Sequence, residues 1–319
     1  MTRTTASLRM AGGVLLALTV GVSPAFAQLN VQHIKGPTGL KAGSQPSPHV
    51  YVIGPLVWIY KTDTVKTADG DQVPPGNTDI TVGAYGAGVL VVTTKKILGG
   101  NYGFSALFPA FMENRLQGTE IDQSSGIGIT DTGASPITLG WHFKRADAIA
   151  GYTIFIPNGR YTDGADNNTG LGMWGHELQA GTTVFLTDAR QYHAAALFSF
   201  DFNSKKEDSE TKVGNVMNIE GGVGGDFLRG GMSAGLVYYA SVKLTDDQIG
   251  TLPHISVIGK NKVFALGPEV SLALARKGVV YGSLKVNYQW EVYARTTTQG
   301  SALTIMATFL VPPITLPAK

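Results

Sequence analysis

Cysteine is absent from the 319 residues. A disulfide-stapled secreted domain is therefore excluded, and so is any thiolate metal site. Charge is scarce too: Asp, Glu, Lys and Arg make up 15% of the chain, against about 25% in ordinary soluble domains. The formal charge is only +2 and the basic residues are scattered, so no nucleic-acid partner is expected. Beyond the first two dozen residues no apolar run reaches the length of a bilayer-spanning helix. Glycine, at 41 residues, is abundant. These properties leave two classes, a large secreted β protein or a membrane barrel.

The start of the chain favours export. Arg3 and Arg9 precede an uncharged apolar run, Ala11 to Val22, and Ser23-Pro24-Ala25-Phe26-Ala27 ends in an A-x-A pattern before Gln28. That is the plan of a secretory signal peptide over residues 1–27. The run is too short to be a membrane anchor, and no cysteine follows it to carry a lipid. Residues 28–48 are rich in Gly, Pro, Ser and Lys without periodicity. They read as a periplasmic lead-in that could tuck into a barrel mouth.

From His49 onward, alternating apolar runs are separated by turn residues. Strands are expected at 49–60, 79–93, 100–113, 126–143, 147–158, 173–187, 191–203, 215–228, 231–243, 260–276, 279–294 and 301–311. Residues 312–319 form a Pro-rich tail. In 279–294, Val280, Gly282, Leu284, Val286, Tyr288, Trp290 and Val292 share one face. Tyr281, Ser283, Lys285, Asn287, Gln289, Glu291 and Tyr293 share the other. The apolar faces are nearly free of ionisable groups, as lipid requires, and the polar faces suit a lumen. Connections alternate short and long, which fits periplasmic turns and external loops. Aromatics such as Trp141, Phe143, Tyr192 and Phe227 gather at one end and Tyr161, Trp174 and Trp290 at the other, as interfacial belts do. The expected fold is a transmembrane antiparallel β-barrel of about 12 strands.

Parity places Glu177, Asp201, Glu220, Lys243, Glu269, Lys285, Asn287 and Glu291 on the lumen side, with Lys243, Lys285 and His193 as counter-charges. They would line a polar path, or form an ion-paired, hydrated filling of a narrow barrel. Asp131 falls on the lipid parity unless Gly133 and Pro136 bend the strand and re-aim it. His176 also lies on an apolar parity. The Asp- and Asn-rich loop 161–168 has oxygen ligands but not the spacing of a calcium site. No metal and no cofactor are expected. No G-x-S-x-G elbow or spaced Ser, His and acid set points to an enzyme.

Several blocks carry a family resemblance. They are Gly39-Leu40 through Val52, Ser135 to His142, Ile156 to Tyr161, and Asn167-Asn168-Thr169-Gly170 through Trp174. Further along come Tyr238 with Leu244-Thr245-Asp246-Asp247, then Val263 to Val270, and finally Tyr288, Glu291, Ala294-Arg295 and Gly300. In order and spacing they resemble the outer-membrane proteins of the MetA-pathway of phenol degradation family. The chain departs near its last loop, where Thr-Gln stands before Gly300 in place of an acidic residue. The resemblance implies an outer-membrane channel or facilitator, distantly similar to long-chain fatty-acid transporters. It would take up small hydrophobic or aromatic compounds by passive diffusion. Its partners would be outer-membrane lipids and such solutes. The alternative is a non-transporting barrel, either a lipid-modifying enzyme or an adhesin.

Overall fold

In a computed structural model of the chain, the described residues are 31–73, 79–107, 111–117, 122–248 and 260–315. The expected signal peptide and the last four residues of the tail lie outside them. Among the described residues no helix is long and apolar enough to cross a membrane; strands do the crossing.

The strands are β1 (His49–Val65), β2 (Asp79–Ile97), β3 (Gly100–Leu107), β4 (Phe111–Gln117), β5 (Asp122–Ser124), β6 (Gly128–Ile129), β7 (Thr132–His142) and β8 (Ala146–Ile156). They continue with β9 (Gly175–Phe185), β10 (Tyr192–Asn203), β11 (Val216–Phe227), β12 (Met232–Lys243), β13 (Lys262–Arg276), β14 (Val279–Arg295) and β15 (Thr298–Thr315). From β7 to β15 each strand pairs antiparallel with its sequence neighbours, and β1 pairs with both β2 and β15, which closes the sheet. Because β3 and β4 both pair β2, they are two stretches of one barrel strand. On their other side β7 pairs β3, while β5 and β6 pair β4. The result is a closed 12-strand barrel. Closure satisfies every strand edge, without which an open sheet could not sit in hydrocarbon.

Side-chain burial follows the period of two. On β10, His193, Ala195, Leu197, Ser199, Asp201 and Asn203 are buried and inward, while Tyr192 and Phe198 are exposed. On β13 and β14, Leu266, Val270, Leu272, Val286 and Trp290 are exposed on the outer face. Tyr293 corrects the expected lumen face. A register shift between Phe264 and Ala265 places an extra residue on β14 opposite them, so Tyr293 turns outward and Ala294 inward. The Pro-rich tail is likewise shorter than expected. β15 runs on through Pro312 and Pro313 to Thr315, which pairs Val279, because an irregularity opposite Val280 and Gly282 absorbs the two prolines.

Asp131 lies between β6 and β7, off the lipid face. Its carboxylate accepts the Gly159 N–H at 3.1 Å and the Leu171 N–H at 2.9 Å, organising the loop after β8. Burial pushes its pKa up, against the lowering effect of those two amides. His176 does face outward, and the Tyr152 hydroxyl at 2.6 Å and stacked Tyr152 and Phe202 rings accommodate it. The loop 161–168 is held by Asn168, whose side chain accepts from the Thr162 N–H and donates to the Thr162 and Ala165 carbonyls. Those bonds are turn chemistry.

Candidate functional site: a segment threaded through the lumen

Residues 31–48 do not stay outside the barrel. They run through the lumen from the long-loop rim to the short-turn rim, where β1 begins, with one 3-10 turn at Gly39–Lys41. The segment carries His33, Lys35 and Lys41 but no acidic residue, whereas the inward faces of β9 to β14 are rich in carboxylates. Charge complementarity draws it in. Hydrogen bonds to these buried groups then fix its path.

At the loop rim Gln32 donates to the Met173 carbonyl at 2.8 Å. Below it His33 sits between two carboxylates, Nδ1 2.5 Å from Glu177 and Nε2 2.9 Å from Glu220. The imidazole thus bridges a carboxylate on β9 and one on β11. Glu220 also accepts the Gly36 N–H at 2.7 Å and the Thr38 hydroxyl. Midway, the Leu40 N–H reaches Glu269 at 3.1 Å, Asn287 donates to the Gly36 carbonyl at 3.1 Å, and Lys285 donates to the Pro37 carbonyl. Near the turns Lys41 pairs with Asp226 at 2.7 Å, and Ser44 donates to Asp147 at 2.8 Å.

The eight residues expected to line the lumen are all buried. Glu177, Asp201 and Glu220 come together around His33. Glu269, Lys285 and Asn287 form a second level around residues 36–40. Glu291 stands apart. It pairs opposite Ala265, four residues from Glu269, which is roughly 14 Å along the strand. Its carboxylate accepts Tyr60 at 2.8 Å, Tyr239 at 2.7 Å and the Gly300 N–H at 2.8 Å.

Of the expected counter-charges, Lys285 lies in the field of the Glu269 and Glu220 carboxylates. Lys243 bonds Asp247 at 2.7 Å, at the rim, and Lys285 donates to backbone carbonyls. His193 is fully buried beside Phe185, with no hydrogen-bond partner among the described residues. The threaded segment adds its own cations, His33 between Glu177 and Glu220 and Lys41 on Asp226. Sequence reasoning missed His33, Tyr60, Asp147, Tyr239 and this whole role. The one available signal was the purely basic charge of residues 28–48.

A cavity of about 340 Å³ opens at the short-turn mouth, lined by Lys41, Ser44, His142, Asp147, Phe185 and Arg190 among others. Ser44, His142 and Arg190 all bond the Asp147 carboxylate, at 2.8, 3.0 and 2.7 Å. A hydrolytic relay needs the histidine between serine and acid; here the acid stands in the middle.

A closed barrel with an apolar outer face and a polar lumen is the fold of an outer-membrane channel, and that membrane is where it resides. The family model "Putative MetA-pathway of phenol degradation" matches residues 62–307, and the chain belongs to that family. Its fold is similar to that of the COG4313 outer membrane channel from Pseudomonas putida F1. The TM-score is 0.68 and the identity 13%, over 87% of this chain and 100% of that one. Similarity is lower to the beta domain of the Bordetella autotransporter BrkA. There the TM-score is 0.39 and the identity 14%, over 81% of this chain and 99% of that one. No curated protein sequence matches the chain.

Proposed function

We propose that this channel admits small hydrophobic or aromatic compounds across the outer membrane by passive diffusion, with residues 31–48 as a displaceable stopper. One observation carries the reading: part of the lumen wall is apolar, and the threaded segment covers it. Leu40 is 2% exposed and rests on a glycine-lined niche. A Cβ on Gly222, Gly224 or Gly235 would stand only 3.0, 2.9 or 2.8 Å from its Cδ2 atom. Ala42 packs beside it on Ala195, Leu197 and Ile149. A compact apolar solute can replace Leu40 and Ala42 on this surface. A hydrophilic solute gains nothing there, since such pockets select by apolar contact.

The stopper is held mainly by hydrogen bonds and ion pairs, which water can replace at modest net cost. It can therefore yield while the barrel stays closed. The chain reaches the membrane as an exported precursor from which residues 1–27 are removed. Partners on this reading are the outer-membrane lipids and the solute.

The test is uptake of a labelled aromatic compound at low concentration by cells with and without the protein, beside sugar permeation in proteoliposomes. Faster aromatic uptake with slow sugar passage is expected. Sugars of similar size crossing as fast as aromatics would overturn the proposal.

A further inference from the structure

His33, Glu177 and Asp201 offer ligand atoms that all lie within 4.8 Å of one another. Glu177 and Asp201 face each other across β9 and β10, whereas His33 arrives from the threaded segment. We infer that these three side chains form a binding site for a divalent cation of the zinc class, which fastens the segment to the barrel wall.

The donor set indicates the ion. One imidazole with two carboxylates suits Zn²⁺ and its first-row neighbours, whereas Ca²⁺ and Mg²⁺ take oxygen shells. His33 is also oriented as metal-bound histidines are. Its Nδ1 turns to the cluster, and its Nε2 lies 2.9 Å from a further carboxylate, Glu220. Such an outer partner fixes the ring and raises its basicity as a ligand.

Asp201 supplies an independent observation. It is 1% exposed, and its Oδ2 accepts from Asn218 at 2.6 Å. Its Oδ1 is buried with no N–H or O–H donor among the described residues, and the side chain lies against a second acid, Glu177. A buried carboxylate oxygen without a donor is costly, and a cation in the cluster satisfies it. Zinc bonds of about 2.0–2.2 Å place tetrahedral ligand atoms roughly 3.4 Å apart. The 2.5 Å His33–Glu177 contact opens and the widest gap in the cluster closes. On loading, the cation enters and His33 Nδ1 releases its proton to solvent, leaving a neutral imidazole ligand.

The site does not depend on which solute the channel carries. It couples cation binding to the stopper, because one ligand lies on the segment and two on the wall. A loaded site holds the segment in the lumen.

The test uses the full chain from outer membranes, chelator-stripped in detergent at about pH 8, where release of the His33 proton is easier than at neutral pH. Zn²⁺ is added and bound metal measured after dialysis; Co²⁺ replaces it for visible absorption. A single bound cation per chain and a Co²⁺ ligand-field band are expected. Asp201→Asn should weaken binding about tenfold or more. His33→Gln should do the same, and it leaves every barrel strand unaltered if Asp201→Asn does not fold. No stoichiometric Zn²⁺ uptake by the wild-type chain, or equal uptake by His33→Gln, would overturn the assignment.

Discussion

Glu220 is the hub of the stopper, and Glu220→Gln is the perturbation that weighs it. The carboxylate takes His33 Nε2 at 2.9 Å and the Gly36 N–H at 2.7 Å on one oxygen, and the Thr38 hydroxyl on the other. An amide of the same shape keeps an oxygen for His33 and Gly36. Its NH₂ then faces the Thr38 hydroxyl, which can turn to accept. What disappears is the negative charge behind all three bonds. Bonds to a charged group contribute about 1.5–3 kcal/mol against roughly 1 for neutral ones. Losing about 0.5–2 kcal/mol of assistance at each of three bonds amounts to about 1.5–6 kcal/mol, or roughly a 10- to 10⁴-fold shift toward the undocked segment.

Hydrogen exchange read by mass spectrometry reports this directly, because the Gly36 and Leu40 amides are bonded only while the segment is docked. Residues 33–45 of the variant should exchange faster by that factor, while the strand amides of β9 to β14 stay protected. Single-channel recordings should show longer open times. Unchanged exchange over residues 33–45, in a variant whose barrel still shows heat-dependent gel mobility, would refute the idea that Glu220 anchors the stopper.

Gly43→Ala should also expel the segment, since its Cβ would fall 2.0 Å from the Thr182 carbonyl carbon, a backbone atom that cannot move aside; raised ion conductance checks it. Leu272→Arg and Val286→Arg, both on the exposed outer face, should each destabilise the barrel by about 2–4 kcal/mol at mid-bilayer, read from denaturant unfolding in lipid. Asn287→Arg is not the mild lumen change that parity alone suggests, because Asn287 is 1% exposed and bonded to Gly36 and Glu269; it should raise segment exchange as Glu220→Gln does. Lys206, in the loop after β10, has its pKa lowered to about 8 by burial against the pull of Asp131, Asp163 and Asp247. A lysine depressed in the folded state binds fewer protons there than when unfolded, so loop stability should rise from about pH 8 toward the free-lysine value near 10.4. Proteolysis of loop 204–215 should slow over that window, and a rate independent of pH would exclude this role for Lys206.

Strand order, strand number and the inward or outward sense of most side chains were legible in the sequence. The reason is local: a strand alternates with period two, and a membrane demands that one parity be apolar along nearly its whole length. That logic placed Leu272 and Val286 outside and Glu177, Asp201, Glu220, Glu269 and Asn287 inside. It failed at Tyr293, where a register shift depends on the partner strand and not on the residue itself. It failed again at the tail, which β14 recruits up to Thr315.

What fills the lumen was decided by tertiary structure alone. Residues 31–48 have no periodicity to read, and their partners are remote in the chain. Ser44 lies 103 residues from Asp147, and Gly36 lies 251 residues from Asn287. Composition showed a basic stretch and an acidic lumen, but not that one threads the other. Pairing of β9, β10 and β11 sets Glu177 and Glu220 two strands apart, and pairing of β11 and β12 gathers the three glycines, but only a threaded lumen brings one imidazole and Leu40 onto them. Alternation is a property of neighbours along a strand. The gripped histidine and the covered niche are contacts between the wall and a segment remote from it in the chain, which exist only once that segment threads the lumen.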